Sequence, residues 1–214
     1  MKSVLITGGT VRLGKAIAER LKAEGWRVIT SSHRADGGAD IVADLAEPTG
    51  AAKLYVAALQ MLGGMPPDAL VNNAALFTGD AAAITAVNLE APKKLTTLMA
   101  GRETGVGAVV NVLDSKVAGL QGCKVAGLQA YLDSKRELAA FTLSSAATFA
   151  ATLRVNGVAP GPVLAPTDVH EQAGEMLLDR RPTADDVAAA VSYLLSAEST
   201  TGVVLPVDSG QHLT

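Results

Sequence analysis

The sequence is poor in the residues that mark several large classes of protein. Its 214 residues contain one cysteine, Cys123, so an intrachain disulfide is impossible and a reducing compartment is indicated. Aromatic residues make up 3% of the chain, the net charge is −3, and no basic run argues for a nucleic-acid surface. Apolar runs are too short to span a membrane, and residues 1–6 enter a strand without room for a signal peptide. We expect a soluble cytoplasmic protein with neither nucleic-acid nor membrane partners.

What the chain does contain favours an α/β protein. Hydrophobic residues make up 49% of the sequence, and alanine, glycine and valine are plentiful. Such small side chains suit helices packed tightly on a parallel sheet. The length predicts a single domain over residues 1–214, and no metal site is indicated.

A glycine-rich turn stands near the start of the chain. The apolar run Val4–Ile6 leads into TGGTVRLG at residues 7–14, and a helical pattern follows. Glycines let a ligand approach the backbone, and the helix directs its unpaired N–H groups and positive dipole end at the same place. We interpret this corner as a diphosphate site of a dinucleotide. The candidate contacts are Gly8, Thr10, Arg12, Leu13 and Gly14.

The end of the second predicted strand, residues 26–32, bears on the choice of dinucleotide. His33 and Arg34 follow it, and no acid occurs before Asp36. NAD-preferring folds place a carboxylate here, whereas a guanidinium suits a 2′-phosphate. NADPH is therefore favoured over NADH, although His33 and Arg34 could also be solvated loop residues.

Two further stretches supply candidate contacts for the cofactor. After a third strand at residues 39–43, Asp44 is predicted to contact the adenine edge, to cap a helix over residues 47–62, or to do both. The strand at residues 69–75 ends in two amides, of which Asn73 precedes Ala74. Buried amides need partners, which a cofactor ribose or a neighbouring strand end can supply.

Polar and aromatic residues also follow the central strands. Phe77 lies just beyond a strand's carboxyl end, where ligands of such sheets bind, although ordinary core packing is the alternative. Asn88 lies inside a predicted helix over residues 81–101 and is either solvent-facing or functionally used. The fifth strand, residues 109–114, ends on Asp114, and Ser115 follows it.

The next helix carries a tyrosine and a lysine four residues apart. Tyr131 and Lys135 share one helix face, where a nearby ammonium favours the phenolate and prepares the phenol for proton transfer. Before this helix, KVAGLQ occurs twice, at residues 116–121 and 124–129, which we interpret as a local duplication that lengthens a loop.

The remaining pattern completes a Rossmann fold. A sixth strand over residues 154–163 ends in a Pro-Gly turn, a helix over residues 184–195 is capped by Thr183 with Asp186 in its first turn, and a last strand covers residues 202–208. Seven strands with interleaved helices predict a doubly wound, seven-stranded parallel sheet with helices on both faces.

Together these motifs resemble the short-chain dehydrogenase/reductase family over nearly the whole chain. The resemblance implies hydride transfer between a nicotinamide and a carbonyl, alcohol or imine. It makes Tyr131 the proton donor and Lys135 the ligand of the nicotinamide ribose, and it gives Asn88 a proton-relay water. It also places Asn73, Ala74, Pro160, Gly161 and the Val163 backbone at the cofactor. A homo-oligomer, dimer or tetramer, is implied as well.

At four places the chain departs from the usual pattern of this family, and there it resembles pteridine reductases and the related bacterial dihydromonapterin/dihydrofolate reductases. They are Arg12, the His33-Arg34 pair, Phe77, and Asp114 where the family usually has serine. An ionised aspartate accepts hydrogen bonds but cannot donate one to a carbonyl, so it suits a substrate with N–H donors. A flat heterocycle would lie between Phe77 and the nicotinamide, and Tyr131 would protonate a ring nitrogen.

The substrate class stays open between three hypotheses. The first is an NADPH-dependent reductase of a pterin-like small molecule. The second is a broad-range carbonyl or 3-oxoacyl reductase, for which Ser115 would bind the carbonyl instead of Asp114. The third is a non-catalytic dinucleotide-binding protein, which has no need of the Tyr131–Lys135 pair. His170 is predicted as a substrate contact or a solvated loop residue, and His212 as an interface or surface residue.

Overall fold

A computed structural model describes residues 1–103, 105–118, 128–163 and 176–214. The strands of this part of the chain are β1 (Ser3–Thr7), β2 (Arg27–Ser32), β3 (Ile41–Val42), β4 (Ala69–Asn72), β5 (Gly107–Val112), β6 (Leu153–Pro160) and β7 (Val204–Val207). They form a seven-stranded sheet in the order β3-β2-β1-β4-β5-β6-β7, in which each neighbouring pair is parallel. The strand order reverses between β1 and β4, so the predicted doubly wound Rossmann fold is confirmed.

Helices connect these strands. They are α1 (Arg12–Ala23), α2 (Gly50–Met61), α3 (Ala81–Thr85), α4 (Ala91–Ala100), α5 (Ser115–Ala118), α6 (Gln129–Thr148) and α7 (Ala184–Ser196). A π-helical turn at Ala86–Glu90 joins α3 to α4, and short 3₁₀ helices cover Ala35–Gly37 and Gln211–Leu213. Among the described helices, none combines the length and the apolar character that crossing a membrane requires.

The sheet is buried on both faces because each strand alternates its side chains between two apolar layers. In β1, Leu5 faces a cluster that includes α2 and α4, where Leu54 and Leu95 are fully buried. Val4 and Ile6 face the opposite cluster, which includes α1 and α7. Each fully buried leucine or isoleucine contributes about 1.5–3 kcal/mol to folding, so the two layers together fix the register of the strands.

Several predicted boundaries shift by a few residues. The helix predicted over residues 47–62 begins at Gly50, because the Asp44 carboxylate first accepts a hydrogen bond from Ala46 N at 2.8 Å and closes a turn. Asp44 therefore caps this turn and not α2, whose N-cap residue is Thr49. The predicted cap of α7 is confirmed, since Thr183 and Asp186 form a reciprocal capping box.

Arg154 on β6 ties the sheet to the end of α7. Its Nη1 donates to the carbonyls of Leu194, Ala197 and Thr200 at 2.9, 2.8 and 3.2 Å, and its Nη2 donates to Leu195 O at 2.8 Å. The last carbonyls of a helix have no partner within the helix, and a cation there also interacts favourably with the helix dipole. One guanidinium thus satisfies the C-terminal end of α7.

We expect Arg154→Leu to lower the free energy of unfolding by about 2–4 kcal/mol, because partly buried carbonyls lose their donors. Urea denaturation measures this change. Arg181→Leu is the matched control, since Arg181 is exposed, and it should change the value by less than about 0.5 kcal/mol. Equal effects of the two substitutions would contradict the role given to Arg154.

Candidate active site

The turn between β1 and α1 is shaped by two glycines. Gly8 has a φ of +64°, and a Cβ added to Gly14 would lie 2.1 Å from the carbonyl oxygen of Gly8. The turn can therefore close only with glycine at position 14. The N-cap residue of α1, Val11, offers no side-chain cap, and the first turn of α1 contains no acidic residue. The positive end of the helix dipole thus faces the adjoining cavity, an arrangement that fits a diphosphate.

Thr7 and Asn73 hold this turn in place. The Thr7 hydroxyl accepts hydrogen bonds from the backbone N–H groups of Asn73 and Ala74, both at 3.0 Å. The Asn73 amide donates to the carbonyls of Thr7 and Gly8 at 2.9 and 3.1 Å. The partners of this amide are therefore backbone atoms of a neighbouring strand end, as one of the two sequence interpretations expected. A direct contact of Asn73 with the cofactor stays a prediction.

Arg12 begins α1 with a φ of +50°, a left-handed conformation that is unfavourable for any residue with a side chain. Strained backbone of this kind concentrates at functional sites. Arg12 also lines the cavity beside the turn. Arg12 thus places a cation at the cavity wall.

A cavity of about 370 Å³ opens at the carboxyl ends of the strands. It brings together most of the residues predicted from the sequence: Gly8, Arg12, Leu13, Gly14, Asn73, Ala74, Phe77, Asp114, Ser115, Tyr131, Lys135, Pro160, Gly161 and Val163. The predicted contacts Thr10, His33, Arg34, Asp44 and Asn88 do not line it. The glycine turn and the tyrosine–lysine pair therefore share one cavity, as a dinucleotide-dependent active site requires.

The tyrosine of this cavity is bonded to an aspartate. Tyr131 lies in the first turn of α6, and its hydroxyl donates to Asp114 Oδ2 at 2.8 Å. Asp114 follows β5 by two residues and is half-buried, so the sheet positions the acceptor and the helix positions the donor. The proton that Tyr131 can deliver is thereby held at a defined point in the cavity.

Lys135 lies one turn further along α6 and is 3% exposed. Its Nζ donates to Val112 O at 2.7 Å and lies 5.8 Å from the centre of the Tyr131 ring. Burial lowers the pKa of the Lys135 ammonium to about 8, while the Asp114 carboxylate acts in the opposite direction. A buried cation in this position favours negative charge on the neighbouring phenol during proton transfer.

Phe77 forms the wall beside the tyrosine. The two rings make an edge contact, with centres 4.8 Å apart and an angle of 63° between their planes. Phe77 also packs against a small apolar cluster that includes Ile84 and Leu132. Phe77 therefore packs on core residues, as one sequence interpretation expected, and also lines the cavity. Its contact with a substrate stays a prediction.

Asn88 is fully buried in the π-helical turn. Its Oδ1 accepts from Leu76 N at 2.7 Å, and its Nδ2 donates to Leu76 O and Ser134 Oγ at 2.9 and 3.1 Å. The side chain therefore forms buried hydrogen bonds with Leu76 and Ser134 and does not face solvent. The proton-relay water assigned to Asn88 by family resemblance stays a prediction.

The outer part of the predicted cofactor site lies beyond the cavity. His33 and Arg34 are exposed after β2, where the Ser32 hydroxyl accepts a hydrogen bond from Arg34 N at 3.0 Å. Their proposed contact with a 2′-phosphate, and that of Asp44 with adenine, stay predictions. His170 and most of the duplicated segment, residues 119–127, lie outside the described residues.

Two of the cavity residues that the sequence did not predict, Lys116 and Gln211, have polar side chains. Gln211 belongs to no motif, but strand pairing offers a signal for it. Because β6 and β7 are parallel and Pro160 pairs with Val207, the chain that follows β7 leaves at the same edge as Gly161. His212, predicted at an interface or the surface, is partly exposed, and its Nδ1 lies 2.9 Å from Asp208 Oδ2.

Comparison with known proteins agrees with this geometry. The sequence model of the short chain dehydrogenase family matches residues 2–177. The chain belongs to this family. This chain is 33% identical over 244 aligned positions to a protein of Streptomyces violaceoruber that is named as a ketoacyl reductase of the granaticin polyketide synthase. That alignment covers 98% of this chain and 95% of the relative.

Relatives that act on pteridines or folates also match the short-chain dehydrogenase. Pteridine reductase 1 of Leishmania tarentolae is 27% identical over 281 positions, covering 98% of this chain and 96% of its own. The crystal structure of FolM alternative dihydrofolate reductase 1 from Brucella canis, complexed with NADP, superposes with a TM-score of 0.85. Its sequence is 32% identical, and the match covers 100% of this chain and 95% of that one. The predicted family and oxidoreductase class are confirmed, and the predicted cofactor agrees with the NADP of the Brucella structure.

The buried ammonium makes stability depend on pH. The pKa of Lys135 is about 8 in the folded protein against 10.5 for an ordinary lysine, so the unfolded chain binds more protons between these values. The free energy of unfolding therefore rises with pH across this window. The contribution of Lys135 to this rise is lost again as the pH falls through about 8. Relative to Lys135→Met, we expect the wild-type free energy of unfolding to gain about 2–3 kcal/mol between roughly pH 7.5 and 10.

Urea denaturation of the cofactor-free protein at several pH values measures this difference. Lys22→Met is the control, because Lys22 is exposed at the end of α1 and should leave the pH dependence unchanged. Parallel stability curves for the wild type and Lys135→Met would show that Lys135 is not a buried titrating group.

Proposed function

We propose that this short-chain dehydrogenase is an NADPH-dependent reductase that transfers hydride to a C=N or C=O bond of a pterin-like heterocycle, with Tyr131 as the proton donor. The observation that carries the proposal is the 2.8 Å hydrogen bond from the Tyr131 hydroxyl to Asp114 in a cavity walled by Phe77. The similarity to the Leishmania pteridine reductase and to the Brucella dihydrofolate reductase supports it.

The residues that would hold the cofactor are those of the strand ends. The glycine turn with Gly8 and Gly14 and the first turn of α1 would receive the diphosphate, and Arg34 would pair with the 2′-phosphate. By family resemblance, Lys135 would bind the nicotinamide ribose and the Val163 backbone its carboxamide. When bound, NADPH supplies the hydride.

Asp114 selects the substrate by the kind of hydrogen bond that it can make. Its carboxylate accepts from N–H groups, which an aminopterin ring presents, and it cannot donate to a ketone oxygen. Phe77 offers an apolar ring surface against which a flat heterocycle can pack. Arg12 provides a cation on the same cavity wall for an oxygen of the ring or for a phosphate of the cofactor.

Tyr131 then completes the reduction. As the ring carbon receives hydride, the adjacent nitrogen takes the proton from the Tyr131 hydroxyl, so the C=N bond becomes a CH–NH bond. The phenolate left behind faces the buried Lys135 ammonium, which stabilises it more strongly than the same charge would in water. In the proton transfer, Asp114 thus orients the substrate, Tyr131 donates the proton and Lys135 stabilises the phenolate.

The substrate class is tested by following NADPH oxidation with dihydrobiopterin and dihydrofolate, alongside a panel of ketones and an acetoacetyl thioester. We expect turnover of the pterins, and Asp114→Asn should lower kcat/KM for them by about 10–100-fold, because the amide keeps one acceptor oxygen but loses the negative charge and replaces the other oxygen with an N–H donor. Thermal unfolding of the variant controls for misfolding. Activity on ketones alone would rule out the pterin assignment.

Tyr131→Phe should reduce kcat by at least about 10²-fold while leaving the Kd for NADPH nearly unchanged, because only the hydroxyl is removed. Steady-state kinetics and fluorescence titration with NADPH measure the two quantities. Tyr193→Phe is the matched control, since Tyr193 is exposed on α7 and should keep full activity. Persistent turnover of Tyr131→Phe would mean that the proton comes from another group.

Arg34→Ala should raise the KM for NADPH by about 10–100-fold and leave the KM for NADH nearly unchanged, because a charged hydrogen bond to the 2′-phosphate is lost. Initial rates with each dinucleotide measure the difference, and Arg181→Ala serves as an exposed control. Equal changes for NADPH and NADH would overturn the assignment of Arg34.

A second candidate function is reduction of ketones or 3-oxoacyl groups. Ser115 lines the same cavity and carries the hydroxyl that a carbonyl substrate needs, and the Streptomyces relative is named as a ketoacyl reductase. A non-catalytic dinucleotide-binding role is the third candidate, which the Tyr131–Lys135 arrangement disfavours. The substrate panel above distinguishes all three.

A further inference from the structure

The segment that follows β7 turns back over the cavity and is held there by Asp208. This carboxylate is almost fully buried and accepts hydrogen bonds from the backbone N–H groups of Gly210 and His212 at 3.0 and 2.7 Å. The imidazole Nδ1 of His212 binds the same carboxylate at 2.9 Å. Between these two anchors lies Gln211, so its backbone position is fixed.

The Gln211 side chain reaches into the cavity and engages Ser115. The Ser115 hydroxyl donates to Gln211 Oε1 at 3.2 Å, and Ser115 is 2% exposed. The neighbouring Asp114 carboxylate instead accepts a hydrogen bond from the hydroxyl of Tyr131. The two candidate substrate contacts after β5 thus have different partners. Ser115 is bonded to Gln211, and Asp114 is bonded to the proton donor Tyr131.

We infer that Gln211 is a specificity-determining positioning residue, whose amide holds the Ser115 hydroxyl away from the substrate and leaves Asp114 as the substrate's polar partner. This inference rests on the proposed function and explains how a chain that carries both residues discriminates between their substrates. A serine hydroxyl that is occupied by an amide cannot donate to a ketone oxygen. Release of that hydroxyl would provide the donor that a carbonyl substrate requires as charge develops on its oxygen.

The test compares kcat and KM for an acetoacetyl thioester and for dihydrofolate in a set of variants. Gln211→Ala should raise kcat for the thioester at least about fivefold, with KM little changed, because the freed hydroxyl stabilises the developing charge. Gln211→Glu retains an oxygen that accepts from Ser115, so it should keep the wild-type thioester rate. Gln60→Ala, which removes an exposed glutamine of α2, is the matched control.

The double variant Gln211→Ala/Ser115→Ala decides the outcome, because a gain that works through Ser115 must disappear in it. Thermal unfolding of each variant identifies losses caused by misfolding. No gain in Gln211→Ala, or a gain that persists without Ser115, overturns the inference. Failure of the wild type to reduce any pterin would instead remove the proposed substrate class, and the thioester comparison would still test Gln211.

Discussion

The hydrogen bond between the Tyr131 hydroxyl and the Asp114 carboxylate is the interaction on which the site depends. It joins a residue that follows strand β5 to a residue in the first turn of α6. The ammonium of Lys135 lies behind both groups, and its burial lowers its pKa to about 8. An acid, a phenol and a buried cation thus occupy one wall of the cavity, and this is an arrangement for moving a proton.

The scaffold keeps this arrangement in place with hydrogen bonds inside the sheet. Asn72 on β4 donates to Asn111 Oδ1 on β5 at 2.8 Å, and the Asn111 amide donates to Thr142 of α6 at 2.9 Å. These buried bonds connect two strands to the helix that carries Tyr131. Buried polar groups specify geometry when they are paired in this way, because any shift in register would leave them unsatisfied.

Local sequence predicted the parts that depend on local chemistry. The glycine turn, the two amides at residues 72–73 and the Tyr131–Lys135 spacing can each be recognised from a few consecutive residues. The alternation of strands and helices was sufficient to predict the parallel sheet. The predicted start of α2 at residue 47 is wrong, and the helix begins at Gly50 because a turn closed by Asp44 precedes it. Helix propensity alone does not show such a turn. The π-helical turn at Asn88 was likewise hidden, since it accompanies hydrogen bonds to Leu76, twelve positions earlier in the chain.

The parts that were missed depend on contacts distant in sequence. Arg154 donates hydrogen bonds to the end of α7, 40 or more positions away, and Ser115 donates to Gln211, 96 positions away. Neither pair has a sequence motif. The Arg154 contacts form only when α7 lies beside β6, and the Ser115–Gln211 contact forms only when β7 pairs with β6. Local sequence does not distinguish the roles of Asp114 and Ser115 for the same reason, since Gln211, which separates them, lies at the other end of the chain.

The most direct measurement is a crystal structure of the protein with NADP⁺ and dihydrofolate bound together. We expect the Tyr131 hydroxyl to lie about 3 Å from a ring nitrogen, within hydrogen-bond reach, and the Asp114 carboxylate to accept hydrogen bonds from the N–H groups of the ring. A ring whose polar edge meets the Ser115 hydroxyl, with Tyr131 out of reach of any ring nitrogen, would contradict it.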